Sequence, residues 1–228
     1  MFAIASLLLA SCSTTIESIK DTITTVAFPK PDVNLTLAEL KQYPQPLLYL
    51  RPNDRGRTGL LLQSSQGSTT RWLSSDARIV QLQSGRIQRL QNFKPNLDAS
   101  SFSTPDPITL PLNKIRAGMT TTSINDWADT QLNSYVVSHE IIDKQASSLT
   151  FFAKQLPVVL VKERVQFPDG SSFINQFWFA QPSGDLVQSI QKPAPFALEF
   201  EMIEISKVAD LLVNAGDAAV PAMPVVQP

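Results

Sequence analysis

A carboxylate at Glu163 and carboxamides at Asn175 and Gln191 fall where two successive hairpins would bring them into one row. The turns Pro168-Asp169-Gly170 and Pro182-Ser183-Gly184 each place Pro at the first bend and Gly where φ must be positive. That is the requirement of a three-residue loop, a type I turn closed by a G1 bulge. A two-residue Asp-Gly loop at the first turn would set Phe173, Phe177 and Phe179 on the face of Lys162 and Arg164. The three-residue loop instead pairs Val161 with Phe177, Glu163 with Asn175 and Val165 with Phe173, which gathers the apolar side chains on one face. Counted through the second loop, it pairs Phe179 with Val187, Phe177 with Ser189 and Asn175 with Gln191. Glu163, Asn175 and Gln191 are therefore predicted side by side on the core-facing surface. Unpaired, each would cost ~1–3 kcal/mol, so they must bond one another or a ligand. Two roles fit: a satisfied network that fixes register, or a glycan contact lining a barrel mouth, with Trp178 beside it at the rim.

Other reactive groups are sparse. His139 is the sole histidine, in a run where Tyr135, Val137, His139 and Ile141 share a face, which favours a core or rim histidine over a catalytic base. No serine sits in a Gly-x-Ser-x-Gly elbow, and neither a phosphate loop nor a dinucleotide fingerprint occurs. A glycosidase needs only two carboxylates at the correct separation. Asp54, Asp76, Glu140 and Glu163 keep a polysaccharide hydrolase or lyase as the alternative to a non-enzymatic role. Trp72, Trp127 and Trp178 have the rings to stack on sugars, but core or edge packing explains each as well.

The single cysteine has a different chemistry. Leu9-Ala10-Ser11-Cys12 follows an apolar run from Phe2 that is far shorter than the roughly 20 residues of a spanning helix. It fits the apolar core of an export signal. The ending resembles the bacterial lipobox, in which the cysteine sulfur takes a diacylglycerol, the peptide is cut before it, and the new amine is acylated. One chain anchors only marginally, whereas several on one residue hold permanently. Ser13, rather than an aspartate, follows the cysteine, which favours outer-membrane sorting. A signal normally begins with basic residues, yet none precedes Lys20, so the coding start is expected upstream. With Cys12 lipidated no thiol remains, so disulfides and thiolate metal sites are excluded and no cofactor is expected.

The elements that position these groups read as follows. The 228 residues suffice for one large β domain; charged residues are 17% and the net charge is −1, so no basic surface calls for nucleic acid. Residues 1–11 are the expected signal, 12–34 the lipidated cysteine and tether, 35–214 a single β-rich domain, and 215–228 a Pro-rich tail. A short helix is predicted over Leu35 to Gln42, capped by Asn34 or Thr36. Short strands follow at 47–51, 58–63, 70–74, 78–83 and 86–90, an antiparallel meander. Residues 96–111 read as a long loop and 121–129 as a helical turn. Strands resume at 134–143, 148–154, 158–167, 173–180, 186–192 and 196–205, and a closing helix spans 207–214. The fold class is mostly β, a meander or barrel with one or two short helices.

The later residues, Glu163, Asn175-Gln176-Phe177-Trp178, Ser183-Gly184, Ser189, Gln191 and Pro195, resemble the C-terminal half of the YjbF/GfcB family of group 4 capsule and exopolysaccharide lipoproteins. Trp72-Leu73-Ser74-Ser75-Asp76 and Gly85-Arg86-Ile87 are similar to that family's earlier tryptophan-serine-aspartate and glycine-arginine segments. The chain departs from the pattern at Gln88-Arg89-Leu90-Gln91, where the family usually has a threonine and a glycine-leucine. The resemblance covers roughly Leu35 to Ile205. It implies a mostly β outer-membrane lipoprotein, facing the periplasm, anchored in lipid through Cys12. Its implied partners are exported polysaccharide and export-machinery proteins, and it implies no catalytic residue; a structural envelope module is a further alternative beside the hydrolase or lyase.

Overall fold

The computed structural model describes residues 32–53, 55–130 and 132–217. The expected signal, Cys12, nearly all of the tether and the end of the tail lie outside them, as does Asp54. Twelve antiparallel strands run round one closed barrel in chain order. They are β1 (Leu47–Pro52), β2 (Thr58–Gln66), β3 (Thr69–Leu73), β4 (Ile79–Gln83), β5 (Arg86–Gln91) and β6 (Leu97–Phe102), then β7 (Thr120–Trp127), β8 (Leu132–Phe151), β9 (Lys154–Gln166), β10 (Ser172–Ala180), β11 (Leu186–Gln191) and β12 (Phe200–Ile203). The ring closes where β1 meets β12, with Tyr49 opposite Ile203 and Leu50 opposite Met202. Closure removes the open edges through which sheets aggregate.

The barrel is filled rather than hollow. Leu48, Leu50, Leu60, Trp72, Phe200 and Met202 belong to one interior cluster, and Val161, Phe177 and Ile141 to a second. Outward-facing positions of β8 and β9 carry Glu140, Lys162 and Arg164. Charge on the outward faces of these two strands is the reverse of the apolar band that a lipid-facing barrel presents.

Two helices cover part of the outer wall. Helix α1 (Leu37–Leu40) is one turn, shorter than predicted, and its cap is Thr36: Glu39 N–H donates to Thr36 Oγ1 at 3.2 Å while Thr36 N–H donates to Glu39 Oε2 at 2.8 Å. This reciprocal box satisfies two donors that a helix end leaves free. Helix α2 (Ile205–Asp217) presents Ile205, Val208, Ala209 and Leu212 at helical spacing. They join Leu47, Tyr49, Trp178 and Ile203 in an apolar layer outside the barrel wall. β1 is therefore buried on both faces, which explains its unbroken Leu-Leu-Tyr-Leu run.

The sequence reading fails in four places. Residues 97–102 form β6 inside the predicted loop, and 120–127 form β7 where a helical turn was predicted. β7 buries Thr121, Ser123, Asn125 and Trp127, so its inward face is mostly polar and alternation of apolar residues could not reveal it. The predicted strands at 134–143 and 148–154 are one continuous β8 that pairs with β9 through a bulge at Ile141/Asp143. The last predicted strand is shortened to Phe200–Ile203. The segment from Pro193 to Glu199 turns instead, and Phe196 stays exposed.

Residues 103–119 do cross one end of the barrel without strand. Ile108 and Ile115 plug into the cluster of Val161 and Phe177, and Asp106 points inward.

Candidate functional site

The first hairpin has the predicted three-residue loop. Phe167 N–H donates to Ser171 O at 2.9 Å, Gly170 has φ +84°, and Val161 faces Phe177, Glu163 faces Asn175 and Val165 faces Phe173. The second hairpin reaches the predicted register by another route. Its loop has four residues, closed by Ala180 N–H to Asp185 O at 2.8 Å, and Phe179 lies opposite Leu186, not Val187. A bulge between Trp178 and Phe179 absorbs the extra residue, so Phe177 still faces Ser189.

Glu163, Asn175 and Gln191 thus share one interior row, each at most 3% exposed. Their partners come largely from outside the row. Arg86 Nη1 and Nη2 donate to Glu163 Oε2 and Oε1, both at 2.7 Å, while Arg86 Nε and Nη2 donate to Asp106 at 2.8 and 2.9 Å. One buried guanidinium so forks onto two carboxylates, geometry that lysine lacks. Phe177 and Phe102 lie 4.9 and 5.3 Å from its carbon, within cation–π range. Asn175 Nδ2 donates to Glu163 Oε2 at 2.8 Å, and its Oδ1 accepts from Lys192 N–H. Gln191 Nε2 donates to Gly85 O and Ser189 Oγ, and its Oε1 accepts from Ile87 N–H. Burial alone would lower the Arg86 pKa, but Asp106 and Glu163 more than reverse this and raise it. Burial likewise opposes ionisation of Glu163, yet Arg86 holds its carboxyl well below the usual range. Both groups are fixed in their charged forms.

Ser123, His139 and Glu163 follow one another like a nucleophile, base and acid. Ser123 Oγ lies 2.9 Å from His139 Nε2, and His139 Nδ1 lies 3.3 Å from Glu163 Oε2. The second contact is close enough for ion pairing but off the hydrogen-bond line, so Nδ1 has no hydrogen-bond partner. Ser123 is 1% exposed and borders a cavity of about 20 Å³, room for one water and not for an ester. The constellation braces the row; it does not present a nucleophile.

Two larger clefts open at the rim, each of about 490 Å³. Gln83, Gln88, Ser100 and Thr109 line the first, Thr120, Ser138 and Gln166 the second, and Ser103 and Thr104 border both. Arg86 forms part of the first wall and His139 part of the second, so the buried row underlies both.

The sequence profile described as group 4 capsule polysaccharide lipoprotein gfcB, YjbF matches residues 20–206. The chain belongs to this family. It is 24% identical over 205 residues to the uncharacterized lipoprotein GfcB of Escherichia coli K12, covering 89% of this chain and 95% of that protein. To the uncharacterized lipoprotein YjbF of the same strain it is 23% identical over 186 residues, 81% of this chain and 86% of that one. The crystal structure of the hypothetical lipoprotein YmcC from E. coli K12 superposes with a TM-score of 0.71 at 20% identity, over 85% of this chain and 96% of that one. That likeness shows the fold.

Several of the residues that carried the YjbF resemblance, among them Arg86, Glu163, Asn175, Ser189 and Gln191, build the network. Gly85-Arg86-Ile87 supplies the guanidinium and two of the groups that hold Gln191. At Gly85 φ is +83°, and a Cβ there would sit 2.1 Å from Leu186 Cδ2. Trp72-Leu73-Ser74-Ser75-Asp76 ends β3 in a turn in which Ser74 Oγ donates to Asp76 and Ser74 N–H donates to Arg78 O.

Trp178 is not at the rim. It is 8% exposed and lies in the layer covered by α2, because its position on β10 faces outward under the helix. Trp72 and Trp127 are buried in the interior. Among the described residues the candidate carboxylates Asp76, Glu140 and Glu163 are not brought together: Asp76 caps its turn, Glu140 pairs with Arg164 at 2.7 Å on the outer face, and Glu163 is inside. Arg86 and Asp106 are the members that sequence reasoning missed. A buried glutamate requires a cation, and an arginine directly after a glycine at a strand start was the available signal.

Proposed function

We propose that this chain is anchored in the outer membrane through Cys12, faces the periplasm, and assists secretion or assembly of capsule or exopolysaccharide without catalysing a reaction. It does so by holding the polymer or the export proteins that carry it. The observation that carries this reading is the pair of hydroxyl- and amide-lined clefts on a rigid barrel rim, in a chain of a capsule-lipoprotein family. Clefts of this size suit an extended polar ligand. The non-enzymatic part is supported by the placement of Glu163, which lines neither cleft and whose oxygens are taken by Arg86 and Asn175.

Gene deletion with complementation tests it. Deletion is expected to lower surface polysaccharide, wild type to restore it, and Cys12→Ala to incorporate no labelled palmitate and to fail to restore it. Unchanged surface polymer in the deletion strain overturns the reading.

A further inference from the structure

We infer that the two rim clefts form one trough that takes an uncharged stretch of glycan; the inference rests on the polysaccharide reading above and names the chemistry of the contact. The clefts meet along Ser103 and Thr104, which border both. Their uncharged polar lining is hydroxyl and carboxamide, groups suited to hydrogen bonds with sugar hydroxyls.

The charged side chains lining the clefts are already neutralised within the protein. In the first, Arg86 and Asp106 bind each other at 2.8 Å, and Arg86 also holds Glu163. In the second, Arg164 and Glu140 pair at 2.7 Å, and His139 is held between Ser123 and Glu163 at 2.9 and 3.3 Å. An ionised sugar placed there would lose hydration without gaining a counter-charge, which is costly. An uncharged one loses only hydrogen bonds that the lining can replace.

The hydroxyls are also held in place before a ligand arrives. Ser103 Oγ and Thr122 Oγ1 are 2.6 Å apart, and Thr104 Oγ1 and Thr121 Oγ1 are 2.9 Å apart, across the rim. Ser103 Oγ also donates to Thr122 O at 3.2 Å and Thr121 Oγ1 to Thr104 O at 3.5 Å, so both hydrogens of each pair are used and the oxygens keep acceptor capacity for sugar hydroxyls. The ridge itself is tied down two residues later, where Asp106 accepts from Arg86 and from Ile108 N–H at 3.1 Å. A pre-ordered polar surface spends less binding energy on immobilisation. Half-buried Phe102 adds an apolar surface to the first cleft.

The test uses the full-length lipoprotein in detergent and the surface polysaccharide of the expressing strain, both native and with its carboxylates chemically reduced to alcohols. Affinity electrophoresis is run at low and high salt. The expected result is that the reduced polymer binds at least as tightly as the native one, with less than about a twofold change between 0.01 and 1 M salt, because no exposed charge pair is made. Thr104→Arg, which fills the ridge between the clefts, is expected to weaken binding about tenfold while leaving the thermal midpoint unchanged. Loss of binding on carboxyl reduction, or steep weakening by salt, overturns the inference and leaves a polysaccharide role standing. Absence of binding to either polymer, alongside a secretion defect on deletion, also overturns it and directs the role to an export protein. Binding unaffected by Thr104→Arg overturns the placement in the trough.

Discussion

Arg86 and Glu163 are 77 positions apart in the chain and meet inside the barrel through two parallel hydrogen bonds of 2.7 Å. With Asp106 on its other side, Arg86 ties β5, β9 and the rim crossing to one guanidinium.

Replacing Arg86 by Met leaves two buried carboxylates without their cation. The expected loss is about 3–5 kcal/mol in urea unfolding, the range for breaking a buried pair from one side. Arg86→Lys is expected to lose less, since it keeps the charge but not the fork. Equal loss from both would show that geometry, not charge, holds the site.

Acid stability depends on Glu163. Its folded pKa lies below the unfolded value of 4.5 because Arg86 outweighs burial, so its contribution is fully present above pH 4.5 and declines as pH falls towards the folded value. One such group steepens the decline by up to about 1.4 kcal/mol per pH unit. Glu163→Gln is expected to be less stable at neutral pH and to show a shallower loss on acidification. Urea midpoints measured at several pH values below 5 check both signs; identical slopes would refute the assignment.

Gly85→Ala strains a positive φ and drives a methyl into Leu186. The expected cost is about 1–3 kcal/mol, partly recovered in the double variant with Leu186→Ala. Additive losses in that thermodynamic cycle would remove the steric cause.

Trp178→Ala opens a cavity beneath α2, with an expected loss of about 3–5 kcal/mol. Polysaccharide binding by the molecules that remain folded should not change. A binding loss matching that of Thr104→Arg would return Trp178 to the site.

Much of the fold was legible where burial is one-sided. β9 alternates over residues 161–166, next to the hairpin, and the Asp-Gly turn that follows has one loop length that keeps Phe173, Phe177 and Phe179 off the charged face; the row followed from it. The next hairpin was read with a loop one residue too short, and a bulge that sequence cannot announce cancelled the error. β6 and β7 were missed because the interior there is polar: Thr121, Ser123 and Asn125 occupy positions that an apolar pattern assigns to solvent. Arg86 was missed for a related reason. Period-2 reading treats arginine as an outward residue, and only the unmet need of Glu163 points back to it.

Closure of the ring by Tyr49 and Ile203 carries a kinetic consequence. The pairing joins the first strand to the last, so no nascent chain can complete the barrel before β12 has emerged. Until then β1 has one unsatisfied flank, and such long-range pairing is slow to form.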